Sequence, residues 1–147
     1  QENNALAVID LQTKQITELL GLGFKDHEID TQGLDASDRD RTVNIQQWPV
    51  LGMYQPDAIA NYERDGHTYL VTANEGDARD YAAFSEETRV SELTLDPAAC
   101  PKAVGLQMSD ALGRLKGSTA NGDIDRDGDG CIVGCDPGEV ALVARVP

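Results

Sequence analysis

Asp125, Asp127 and Asp129 stand on alternate residues, Gly130 follows at the sixth position of the run, Ile132 falls at the eighth and Asp136 at the twelfth. That is the ligand spacing of an EF-hand-type calcium loop, with Asp in place of the terminal bidentate Glu. Calcium takes about six to eight oxygens, and alternate residues of a turning backbone can converge on one point. Without a cation the neighbouring carboxylates of Asp123, Asp125, Asp127 and Asp129 repel one another. The expected metal set is therefore Asp123, Asp125, Asp127, Asp129, Cys131 and Asp136, in a calcium-loop-like insertion over residues 122–138. Pro137-Gly138 directly after it stop any regular exit helix, so an isolated loop of the extracellular kind fits better than a helix-loop-helix. A solvated acidic turn is the plain alternative. Cys131 and Cys135 are spaced so that a disulfide is permitted but not required, and zinc is disfavoured because the usual two-residue spacing and a nearby His are missing.

Two further clusters carry chemistry. Asp35, Asp38 and Asp40, followed by Asn44, form a less regular acidic group that could hold a second divalent cation or be a solvated loop. Glu75, Asp77 and Arg79 close one β-prone run, and Asp57 opens the run expected to pair with it. Carboxylates with an interleaved Arg could serve acid/base work, or phosphate or sugar binding. The competing explanation is an internal salt-bridge network in which Arg79 offsets its neighbours. His27 lies among acids, where a lone loop His is more often structural or solvated than catalytic. No GxSxG, HExxH, P-loop or dinucleotide fingerprint is present, and two His cannot build a His-rich metallohydrolase centre.

The elements that must position these groups are mostly strands. Residues 5–11 and 16–22 read as two strands joined by a tight turn near Thr13, although residues 15–22 could also be a helix. Residues 58–62 and 67–73 flank Asp65-Gly66, the strongest short-range hairpin signal. From Gly23 to Gln55 regular patterning stops. Ser85 and the acids after it suit a short helix start, and Glu92–Leu95 could be a strand. Residues 102–116 are ambiguous, and residues 140–146 read as a closing strand.

The whole chain has 147 residues, 26 acidic and 12 basic, for a net charge of −14, which argues against nucleic acid and against an anionic membrane surface as partners. No apolar run approaches the roughly 20 residues that cross a bilayer, so membrane insertion is not expected. Asp outnumbers Glu by 17 to 9, as suits turns and oxygen-rich metal sites. Cys100, Cys131 and Cys135 are an odd set that fixes no redox compartment. Gln1 with no visible signal segment suggests a mature chain or an excised segment. Repeated two-strand units with long acidic loops suggest an all-β segment of a β-propeller, about two blades, over residues 1–147. An isolated pair of blades would leave exposed edges, so the rest of a larger propeller is an expected partner.

Several stretches resemble the choice-of-anchor I family: Gly23-Phe24-Lys25-Asp26-His27, Gly33-Leu34-Asp35-Ala36-Ser37-Asp38, Trp48-Pro49-Val50, Met53-Tyr54-Gln55-Pro56-Asp57-Ala58-Ile59, Thr72-Ala73-Asn74-Glu75-Gly76-Asp77-Ala78-Arg79, Leu112-Gly113-Arg114-Leu115 and the Asp-Gly run from Gly122. The similarity spans roughly residues 3–130, and the stretch with Cys131 and Cys135 departs from it. The resemblance implies a β-propeller considerably longer than this chain and a secreted, periplasmic or cell-surface address. Its members include relatives called mesenchyme-specific cell surface glycoproteins, and many carry the label alkaline phosphatase. It transfers no catalytic set. Taken together, a calcium-stabilised, non-catalytic propeller segment for surface or matrix interaction is expected, with an extracellular protein or glycan as the partner. The alternative is a metal-dependent, phosphatase-like hydrolase using Asp57, Glu75, Asp77 and Arg79.

Overall fold

The computed structural model describes residues 2–95 and 102–120 and the strand 143–145. Strands β1 (Ala5–Asp10) and β2 (Gln15–Gly21) pair antiparallel, with a register irregularity between Val8 and Ile9. Asp10 makes the turn: its Oδ1 accepts the backbone N–H groups of Gln12 and Thr13, and Lys14 takes the left-handed conformation (φ 57°). Gln15–Gly21 is thus strand, and the helical option is closed.

The stretch after β2 departs from expectation. Residues 23–55 hold four short strands, β3 (Phe24–Asp26), β4 (Leu34–Asp35), β5 (Ile45–Gln46) and β6 (Leu51–Met53). They also supply much of the core: Leu34, Ala36, Trp48 and Val50 are buried together with Val90, Leu112 and Leu115. Runs of two or three residues are too short to show a period, so the sequence pattern misses them. The Trp48 indole N–H donates to the Leu34 carbonyl at 3.1 Å, which satisfies its one polar atom inside the cluster.

β7 (Pro56–Arg64) and β8 (His67–Asn74) form the long hairpin set by Asp65 (φ 52°) and Gly66 (φ 75°). Both turn residues are left-handed, as this kind of tight hairpin requires. Tyr62 and Tyr69 lie opposite each other and stack with ring centroids 5.0 Å apart.

Beyond it the expected helix in residues 81–95 is replaced. β9 (Asp80–Tyr81), β10 (Phe84–Ser85) and β11 (Glu87–Arg89) are followed by a 3-10 turn at Val90–Glu92, so Glu92–Leu95 is not a strand either. Ser85 caps nothing helical because Glu86 turns inward to Arg79 and Ser118. Helix α1 (Ala103–Leu106) is one turn long. β12 (Lys116–Ser118) and β13 (Val143–Arg145) join a five-stranded sheet in the order β11-β12-β13-β6-β3, in which β13 runs parallel to β6. The remaining sheets each have two strands. The described residues are therefore all-β, in small unclosed sheets.

Candidate functional site

Asn4 and Gln55 lace the bases of the two long hairpins together. Asn4 Oδ1 accepts the backbone N–H groups of Tyr54 and Gln55, both at 3.1 Å, and its Nδ2 donates to the Gly23 carbonyl at 2.7 Å. Gln55, whose own backbone is left-handed (φ 39°), accepts the Glu75 N–H at 3.4 Å through its carbonyl. Pro56 pairs with Asn74, so Asp57 and Glu75 flank one end of the same sheet, as the sequence suggests. The Gln55 side chain is fully buried, and its amide nitrogen and oxygen have no hydrogen-bond partner.

Arg79 is committed to Glu86. Its guanidinium forks onto Glu86, Nε to Oε1 at 3.1 Å and Nη2 to Oε2 at 2.9 Å, and its backbone N–H also donates to Oε1. Ser118 Oγ completes the carboxylate from a neighbouring strand at 2.9 Å. The Arg79 hydrogen bonds hold the Glu86 carboxyl below its ordinary range against the opposing effect of burial. Arg79 in turn is raised, chiefly by Glu86, and lies over the Phe84 ring at 5.3 Å. The expected salt-bridge role is thus filled, but by Glu86, a residue the sequence pattern assigned to a helix start. Asp57 and Asp77 are exposed.

His27 is a buried structural residue. Its Nδ1 lies 2.6 Å from the Gln32 carbonyl, and its backbone bridges Val50 and Trp48. Burial is the main reason its basicity is lowered.

The second acidic cluster lines an open cleft of about 790 Å3. Asp38 is bound by the forked guanidinium of Arg114, Nη2 to Oδ2 at 3.0 Å, and this holds its carboxyl below the ordinary range. Asp40 Oδ1 accepts the Thr42 N–H at 3.1 Å, and one Asp35 oxygen is closed off without a partner. Among the described residues no three His, Cys, Asp or Glu side chains are gathered so as to hold a metal ion. Asp35, Asp38 and Asp40 share a wall without converging. The cations on the same lining were not foreseen: Arg89, Arg114 and Lys116, with Arg41 on the acidic loop itself. The scarcity of cations in an acidic chain was the signal that could have drawn attention to them. The calcium-loop candidates Asp123, Asp125, Asp127, Asp129, Cys131 and Asp136, and Cys100 and Cys135, lie outside the described residues.

Residues 1–131 match the family model for the choice-of-anchor I domain, most of the 147-residue chain. The chain belongs to the choice-of-anchor I family. Choice-of-anchor I membership implies a secreted or cell-surface protein. Among the described residues no helix is long and apolar enough to cross a membrane. No curated protein and no solved structure matches the chain.

Proposed function

We propose that this choice-of-anchor I chain is a non-catalytic piece of a β-propeller held outside the cytoplasm, where it serves surface or matrix interaction, with calcium ordering the acidic run at residues 122–138. One observation supports the propeller most: the two long hairpins present apolar side chains on both faces. On β7 and β8, Tyr62, Tyr69 and Val71 share one face and Ile59 and Leu70 the other, and all five are exposed. On β1 and β2, Leu19 and Leu20 sit on opposite faces and both are exposed. An isolated two-stranded hairpin is at best marginally stable in water. A blade sandwiched between neighbouring blades needs both faces apolar, and a surface sheet does not. Calcium finds its support in the spacing of Asp125, Asp127, Asp129 and Asp136.

The hydrolase alternative has no comparable support, since the Arg79 fork is already bound to Glu86. The test is amide hydrogen exchange on the protein as isolated from its source. Protection of Ile59–Tyr62 and Tyr69–Thr72 at the level of the Trp48 cluster is expected. Exchange of these hairpin amides as fast as in short peptides would refute the propeller.

A further inference from the structure

The cleft over Asp35–Val43 collects charge against the trend of the whole molecule. Four of the chain's twelve basic side chains line it, Arg41, Arg89, Arg114 and Lys116, against three of its twenty-six acids. Two of the four cations are already balanced within the fold: Arg114 by Asp38 and Lys116 by Glu87. Arg89 gives one nitrogen, Nη1, to the Arg114 carbonyl, which fixes the guanidinium at the wall. Arg41 lines the cleft, makes no ion pair or side-chain hydrogen bond among the described residues and has a left-handed backbone (φ 61°), a conformation a side chain of this size rarely takes. The cleft thus offers one anchored guanidinium and one with no partner among the described residues, with Thr42 also on its lining.

We infer that this cleft binds a sugar bearing a single carboxylate, of the uronic acid class, with Arg41 and Arg89 holding the carboxylate. Guanidinium groups match carboxylates through paired N–H donors. The volume of about 790 Å3 falls in the range of small-molecule sites. Asp40, which would repel a second anionic group, is suited to receive sugar hydroxyls, whereas both Asp38 oxygens are taken by the Arg114 fork. The net charge of −14 disfavours a long polyanion and leaves a singly charged terminal unit as the better fit. The choice of a sugar rather than another carboxylate rests on the surface-interaction function proposed above, while the anion site itself stands on the cleft alone.

Calorimetric titration of the intact protein with glucuronate, glucose and inorganic sulfate tests it. Saturable binding of glucuronate with none of glucose is expected. Arg41→Gln should weaken it about ten-fold, the loss of a charge-assisted hydrogen bond, without moving the thermal midpoint, because Arg41 makes no ion pair or side-chain hydrogen bond among the described residues. Asp38→Asn should tighten it several-fold, because the Arg114 fork is then released and a negative charge is gone. No saturable binding of any of the three, or affinity indifferent to Arg41→Gln, would overturn the site. Equal affinity for sulfate and glucuronate would overturn the sugar assignment. Failure of the propeller is read separately, from hairpin exchange, and leaves glucuronate binding where it is.

Discussion

Glu86 shows how a single carboxylate can hold a mostly loop-built region together. It accepts from the Arg79 backbone and guanidinium and from Ser118, while its own N–H and C=O bond Arg79 and Thr119. Its side chain is fully buried, but that of Arg79 is 32% exposed, so solvent screens part of the attraction. Glu86→Ala should therefore cost about 2 kcal/mol, below the range for a fully enclosed pair, read from urea midpoints. A loss within error of zero would mean that the pair contributes nothing net. Acid should act in the same direction. The folded Glu86 carboxyl lies below its ordinary value of 4.5, so its contribution is complete above that pH and is lost as pH falls through the lowered folded value. His27 acts at a higher pH. Burial lowers the folded imidazole below 6.5, so the unfolded chain takes up the proton first. Stability should be level above that value and decline as pH drops below it. Thermal midpoints between neutral pH and about 5 should slope in the native chain and flatten in His27→Asn. The same slope in both chains would remove His27 as the cause.

At the scale of elements, the two long hairpins were legible and most of the packing was not. Asp65-Gly66 and the alternating β-prone runs around it carry their own geometry, so β7 and β8 follow from local sequence. The core does not, because its members come one or two at a time from very short strands and loops: Leu34 and Ala36, then Trp48 and Val50, then Leu112 and Leu115. No periodic window contains enough of them to register. The Glu86 site failed for a related reason. Ser85 and three following polar residues satisfy a helix-start pattern, but the partners that decide the matter, Arg79 and Ser118, are distant or unpatterned in sequence. The bend after α1 shows how tightly such loops are built. A Cβ on Gly113 would stand 2.2 Å from the Gln107 carbonyl oxygen and 2.7 Å from that of Met108, whereas one on Gly105 meets nothing within 4 Å. Those carbonyls are backbone and cannot swing aside. Gly113→Ala should thus destabilise the chain by about 2 kcal/mol or more, while Gly105→Ala should be neutral or stabilising by about 0.5 kcal/mol. Chemical denaturation of the two variants side by side checks this, and equal midpoints would show that the 107–113 loop relaxes freely.

The molecule as a whole carries a net charge of −14, and self-repulsion of that size weakens any compact state. Asp123, Asp125, Asp127 and Asp129 concentrate four of those charges within seven residues. The closing strand β13 (Val143–Arg145), just beyond that run, pairs with both β6 and β12 and so occupies the middle of the five-stranded sheet. Whatever draws the acidic run into a compact turn therefore also shortens the chain that must be ordered for β13 to reach its place. A bound calcium ion would do both, by neutralising the carboxylates and by fixing the turn at Gly130. Binding to the folded state alone stabilises by about 2.7 kcal/mol at a hundred-fold excess over the dissociation constant. Calcium should raise the thermal midpoint in proportion to the logarithm of its concentration, and a chelator should reverse the shift. Magnesium at equal concentration should do far less, because it loses its water reluctantly and demands a smaller, stricter shell. Asp127→Asn should remove most of the calcium response, while Asp57→Asn, far from the run in sequence, should keep it. A midpoint equally indifferent to calcium and chelator would leave the acidic run as a solvated turn and remove the cation from the account of how β13 is held.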